Sequence, residues 1–231
     1  MSTAPVYLAL GAQVAISSAT YLIAKGAMSA FAPLELAVLR ITGASCVFAL
    51  LLAIRRCRLQ PPAAELPRFF VLGMLGAPLN QGLFLFGLQR TTATHAAVLY
   101  ALTPLLVFLI SWAKGTERPS ALRLAGIVMA LVGVYVVLAE KGLSGGLENI
   151  VGDLLIFAAV TAWAFYSVLG KQLAREHGPL QTTAWGIMLG GAVMVCLAPV
   201  AVSPARLAVA GPSAWAAVAF LVLLTSVLSY L

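Results

Sequence analysis

The chain has 231 residues, of which 62% are hydrophobic and 9% charged, with a mean hydropathy of +1.02. Soluble domains carry about 25% charged residues, so this composition excludes a protein with a water-covered surface. The net charge of +7 does not indicate nucleic-acid binding, because the basic residues sit in short breaks between apolar runs, where they act as topology signals.

A bilayer core of about 30 Å takes roughly 20 apolar residues per helix. Eight runs approach that length: 5–24, 33–54, 68–89, 93–113, 121–139, 151–170, 181–202 and 213–231. The breaks between them hold most of the charges and much of the Pro and Gly, as loops do. The runs are too long for membrane strands and lack alternation with period two, which excludes a β-barrel. The expected fold class is therefore an all-α membrane protein, a multi-pass helical bundle.

The first run has no basic segment before it and no small-residue cleavage site after it, so it is expected to be a retained helix. Placing the N-terminus in the cytoplasm puts Arg55, Arg56, Arg58, Arg68, Lys114, Arg118, Arg123, Lys171 and Arg175 on the cytoplasmic side. Lys25, Arg90, Lys141 and Arg206 then face outward, and Arg40 lies within the second run. The excess of Lys and Arg on one side favours this orientation. Cys46, Cys57 and Cys196 show neither CxxC nor Cys/His ligand spacing, so they read as packing residues or a free thiol. No metal site or cofactor is expected.

An internal repeat is visible at an offset of 146 residues. Lys25 falls on Lys171, Pro33 on Pro179 and Leu34 on Leu180, so each half reads as a polar-aromatic helix, a Lys, a short loop and Pro-Leu opening the next helix. The copies start an odd number of spans apart and must cross the membrane in opposite senses, an architecture found in secondary transporters. This gives two units, 1–142 with five helices and 150–231 with three. A five-plus-five arrangement takes ten spans, so either two further helices follow residue 231, the favoured expectation, or the last two helices of the arrangement are absent.

The stretch "FGLQRTTATHAAVLYALTPLLVFLISWAKGTERPSALRLAGIVMALVGVYVV" resembles the EamA-type transporters of the drug/metabolite transporter superfamily. The resemblance rests on Thr103-Pro104, the loop acid Glu117, Gly126-Ile127 and Gly133-Val134, and on the second-half opening "GDLLIFAAVTAWAFYSVLGK". Pro33 with Arg40, and Lys25 at the close of the first span, also fit. The sequence departs from the pattern in having Ser-Ser-Ala-Thr at 17–20 where Trp-Gly is frequent in the first span. The resemblance implies a ten-helix inner-membrane carrier that exports amino acids or other small metabolites.

Polar groups within spans tend to face the bundle interior or a wet cavity. Trp163, Tyr166, Ser167 and Gly170 share one face of the sixth span, and Gln13, Ser17, Tyr21 and Lys25, four apart, form a stripe on the first. A cavity between these stripes is one reading. The other is packing, with the Ser groups bonded to their own helix carbonyls. Lys25 and Lys171 serve either as snorkelling residues at helix C-termini or as gates. Arg40 needs a partner or a water-filled vestibule, since a bare charge in a span costs about 2.5–3.5 kcal/mol. Glu35 lies five residues before it, which disfavours a direct intrahelical pair.

Mid-span Pro78 precedes Asn80 and Gln81, and this segment reads either as a broken helix lining a cavity or as a kink with interhelical amide bonds. Tyr100 and Thr103 on the fourth span divide between the same two roles. His95, near a helix start, reads as a surface histidine in preference to a proton relay, and Gly186 with Gly190 as a close-packing pair.

Two histidines at loop edges, no HExxH and no second membrane aspartate beside Asp153 argue against an intramembrane enzyme. A non-transporting scaffold is the further alternative, although it does not require paired polar-aromatic faces. The expected partners are a small-molecule solute and the lipid bilayer, and homo-oligomerisation is compatible with both. Glu35 and Asp153 lie near span ends and define no ion-coupling site.

Overall fold

The computed structural model describes residues 4–117, 120–141 and 147–228. Arg118, the 142–146 part of the loop before the sixth run, and the end of the eighth run at 229–231 lie outside the described residues, as does the Arg123 side chain. The described residues form helices joined by short turns, with no strand among them. In chain order these are α1 (Ala4–Ala27), α2 (Pro33–Ile54), α3 (Leu66–Met74), α4 (Leu83–Arg90), α5 (Ala93–Tyr100), α6 (Thr103–Ala113), α7 (Ala121–Lys141), α8 (Leu147–His177), α9 (Pro179–Ala201), α10 (Pro204–Val209) and α11 (Pro212–Phe220). Widened π turns continue two of them, at Leu75–Gly82 between α3 and α4 and at Leu221–Val227 after α11.

Among the described residues, five stretches are long and apolar enough to cross a bilayer: Pro33–Ile54, Ala63–Arg90, Ala93–Ala113, Asn149–His177 and Pro179–Ala201. Leu22, Leu50, Ile54, Met129, Phe157 and Val200 are exposed on the outside of the bundle, an arrangement suited to acyl chains. The protein is an all-α, multi-pass membrane protein.

The expected helix ends are corrected at one point. The sixth run continues past Lys171 to His177, because "KQLAREH" contains no breaker. Gly178 stops it, adopting φ +85 where a side chain would be strained, and Pro179 opens α9 with its fixed φ. Lys171 therefore sits inside α8 and does not cap it.

Two apolar clusters stack along the bundle. One joins Leu36, Ala37 and Ile41 of α2 to Leu85 and Leu88 of α4 and to Ile156, Ala159 and Val160 of α8. The other joins Phe48 and Leu52 of α2 to Phe69 and Leu72 of α3, Tyr166 and Leu173 of α8, and Trp185 of α9. Arg40 and Trp163 fall close to the changeover between them. α2 packs along α9, α4 along α8, and α3 crosses α9. A Cβ on Gly73 would stand 2.6 Å from the Gly186 carbonyl oxygen and 2.7 Å from the Gly190 nitrogen, so bare backbones meet at the α3–α9 crossing.

The two ends of the bundle are tied differently. At one end Arg68 bridges Glu65 at 2.7 Å and Glu176 at 3.0 Å, and the Trp185 indole donates to the Arg58 carbonyl at 2.9 Å. At the other end the fully buried Glu35 accepts from the backbone N–H groups of Ala32 and Ser203 and pairs with Arg206 at 3.3 Å. These bonds hold the entry to α2 against the loop between α9 and α10.

Candidate functional site

Between the two apolar clusters lies a cavity of about 190 Å³. α1 contributes Gln13, Ser17, Thr20 and Tyr21; α2 contributes Arg40; the first π turn and α4 contribute Asn80, Gln81 and Phe84. Tyr100 of α5, Trp163 of α8 and Thr225 of the second π turn complete the described lining. The four-residue spacing on α1 turns Gln13, Ser17 and Tyr21 inward together.

Pro78 shapes the amide wall. Proline cannot donate to the carbonyl one turn back and its ring crowds it, and here the helix widens into the π turn Leu75–Gly82. Such turns reorient side chains, and this one presents Asn80 and Gln81 to the interior. Asn80 Nδ2 donates to the Tyr100 hydroxyl at 2.8 Å and to the Ala159 carbonyl at 2.9 Å, while Gln81 Nε2 donates to Asn80 Oδ1 at 3.0 Å. Gln81 Oε1 is buried and has no hydrogen-bond partner in the protein.

The aromatic wall is a three-ring cluster. Tyr21, Phe84 and Tyr100 meet edge to face with centroids 5.6 to 5.9 Å apart, a geometry favoured by the ring quadrupoles. Trp163 faces the cavity and stacks at 4.9 Å on Tyr166. Tyr166 itself is buried against Gly76, where a Cβ would lie 2.7 Å from its ring, so it supports the indole from behind. Arg40 is only 2% exposed, and its Nε donates to Ser226 Oγ at 2.7 Å.

Several candidates lie outside the described lining. Ser167 bonds back to the Trp163 carbonyl at 2.8 Å and Thr103 to the Tyr100 carbonyl at 2.6 Å, which is local helix bonding. Lys25 donates to the Leu88 carbonyl at 3.1 Å and to the Thr91 carbonyl, so its charge complements the C-terminal end of α4. Lys171 is 61% exposed and pairs with Glu117 at 3.0 Å.

His95 is not a surface histidine. Its side chain is 11% exposed and Nδ1 lies 3.1 Å from Asp153 Oδ2, while Thr91 donates to Asp153 Oδ1 at 2.6 Å. The tight Thr91–Thr92 join brings the start of α5 against α8, and Gly152 allows that approach, since a Cβ there would meet the Thr91 backbone at 2.9 Å.

Thr20, Phe84, Thr225 and Ser226 are the site residues that sequence reasoning did not single out. Thr20 and Thr225 share a hydrogen bond of 3.0 Å across 205 positions. A polar pair such as Thr225-Ser226 inside an apolar run was the available signal.

A helical membrane bundle enclosing a polar and aromatic cavity is the architecture of a solute-handling membrane protein. Residues 4–139 and 150–231 match the EamA-like transporter family, and the chain belongs to that family. It is 28% identical over 236 residues to the uncharacterized transporter YyaM of Bacillus subtilis (strain 168), covering 98% of this chain and 75% of that protein. It is 28% identical over 177 residues to the S-adenosylmethionine/S-adenosylhomocysteine transporter of Chlamydia trachomatis serovar L2, covering 73% of this chain and 53% of that protein. A solved crystal structure shares the fold with a TM-score of 0.73 at 23% identity, covering 99% of this chain and 77% of the other.

Proposed function

We propose that this protein is a secondary transporter of the bacterial inner membrane, with its N-terminus in the cytoplasm. It exports small metabolites of amino-acid size by alternating access around the central cavity. The observation that carries this reading is the lining itself: amide, hydroxyl and guanidinium groups together with aromatic rings, contributed by helices from both halves of the chain. A packed scaffold has no need of buried polar groups that must be solvated. Membership of a transporter family and the offset-146 repeat, read as two inverted units, support the same mechanism. The size of the cavity, about 190 Å³, lies below the roughly 300–1,000 Å³ that accommodates drug-sized ligands. That favours a solute smaller than the adenosyl compounds named for the chlamydial relative.

Two measurements test this. With Cys46, Cys57 and Cys196 replaced by serine, Ser17→Cys should react with a charged, water-soluble thiol reagent, whereas Phe157→Cys on the exposed face of α8 should not. In proteoliposomes, Trp163→Ala should lower the flux of every solute carried by about ten-fold, the size of a lost close contact plus its exclusion of water. An unreactive cysteine at 17 together with unchanged flux in Trp163→Ala would overturn the reading.

A further inference from the structure

We propose that the groove between α6 and α7 binds one phospholipid with a primary ammonium headgroup, its acyl chain between the helices, its phosphate on Lys171 and its ammonium on Glu117. This site is separate from the central cavity and does not depend on what the cavity carries.

The groove is a second cavity of about 410 Å³. Ala101, in the turn before α6, and Pro104 and Phe108 of α6 form one wall; Gly126, Ile127 and Leu131 of α7 form the other. α7 stands off the bundle here. None of its described side chains is buried, and a Cβ on Gly126 would meet nothing within 4 Å. An apolar wall with no atoms against it forfeits its dispersion contacts, and an alkyl chain restores them.

Length selects the occupant. α6 has 11 residues, Thr103–Ala113, which rise about 16 Å. One leaflet contributes half of a hydrocarbon core of about 30 Å, so the groove is as deep as a single acyl chain is long. A helix of a second copy would be roughly 10–12 Å wide and would continue through the other leaflet, beyond the lining at Ala101.

The mouth of the groove carries the charge. Glu117 is the one carboxylate among the described lining residues, and it accepts from Lys171 Nζ at 3.0 Å. Lys171 is 61% exposed and spends one of three N–H donors on that bond, which leaves it able to hold a phosphate as a point charge. Lys114 follows α6 directly and is exposed, adding positive charge to the same loop. Trp112, 54% exposed, is the kind of residue that sits at headgroup level. A carboxylate and an ammonium 3.0 Å apart are complementary to a headgroup that itself carries both signs, phosphate to Lys171 and ammonium to Glu117. Phosphatidylethanolamine meets both. Phosphatidylglycerol brings no cation to Glu117, and the quaternary ammonium of phosphatidylcholine has no N–H to donate.

The test is native mass spectrometry of the purified full chain, released from mixed micelles that contain equal amounts of phosphatidylethanolamine, phosphatidylglycerol and phosphatidylcholine with identical acyl chains. One phosphatidylethanolamine should be retained per chain, in preference to either competitor by at least about ten-fold, the size of a charge-assisted hydrogen bond. Glu117→Gln should bring phosphatidylethanolamine and phosphatidylcholine to within about two-fold of each other. Gly126→Leu, which fills the groove, should lower retention of all three. Equal retention of the three lipids by the wild-type chain overturns the proposal, as does an unchanged headgroup preference in Glu117→Gln or undiminished retention in Gly126→Leu. Lipid-free dimers that Gly126→Leu dissociates would overturn it as well, because a second copy would then cover the groove. Should Gly126→Leu fail to fold, the wild-type headgroup series decides alone.

Discussion

Gly73 and Gly190 show how single residues set the spacing on which the cavity depends. The backbones of α3 and α9 touch where these glycines meet, and no side chain can shift to make room, because the crowding atoms are a carbonyl oxygen and an amide nitrogen. Gly73→Ala must therefore separate the helices, and overpacking of this kind costs about 1–3 kcal/mol. The expected outcome is a melting temperature in detergent several degrees below wild type. Gly126 of α7 is the matched control: nothing lies within 4 Å of its Cβ position, and Ala is the better helix former by roughly 1 kcal/mol. Gly126→Ala should leave the melting temperature unchanged or raise it, so equal losses in both variants would show that the effect is not steric. The Gly186/Gly190 spacing made this crossing legible beforehand. The partner Gly73 was not, because a lone glycine in a helix carries no sign of what it faces.

At the scale of elements, the π turn over Leu75–Gly82 is what connects Pro78 to the amide wall. A wide turn accommodates one more residue than a regular α turn. Recovering regular geometry rotates every later side chain by about 100°, which takes Asn80 and Gln81 away from Tyr100 and Ala159. Pro78→Ala restores the missing backbone donor, so its melting temperature should equal or exceed that of wild type. Its solute flux should nevertheless fall by about ten-fold or more, because the Asn80–Tyr100 bond at 2.8 Å cannot form from the rotated register. Flux retained at the wild-type rate would detach the proline from the site. The amides themselves were readable as polar groups in an apolar run, and the stripe of Gln13, Ser17 and Tyr21 as a four-residue period. The π register was not readable, and neither was the carbonyl bonding of Lys25, since a helix end offers its carbonyls whatever side chains surround it. Thr20 and Phe84 escaped for a related reason. A threonine that bonds back to its own helix, and a phenylalanine among many, look alike on the inner and outer faces until the partners across the bundle are known.

For the molecule as a whole, the unequal fastening of the two ends bears on which one can open. At the α2 entry, Glu35 is fully buried and bonded to two backbone N–H groups as well as to Arg206, and removing one member of such a set strands a buried charge. Lys25, Thr91, Asp153 and His95 reinforce the same end through α1, α4, α5 and α8. The opposite end is held across α3 and α8 by Arg68 on Glu65 and Glu176, with side chains about a quarter to two-fifths exposed. Exposed pairs contribute only about 0–1 kcal/mol each, which is within reach of thermal opening. On the alternating-access reading proposed above, opening should accordingly begin by releasing the Arg68 end. Arg68→Ala is expected to shift the melting temperature little, yet to speed the reaction of a cysteine at Ser17 with an impermeant thiol reagent added from the Arg68 side by at least about three-fold. Labelling from the other side should not rise. In 1 M salt the wild-type protein should approach the labelling rate of Arg68→Ala while the variant itself changes little, because a Debye length of about 3 Å weakens pairs that the variant already lacks. Faster labelling from the Glu35 side instead would mean that the exposed pairs hold the bundle more firmly than the buried set, and the order of opening would be reversed.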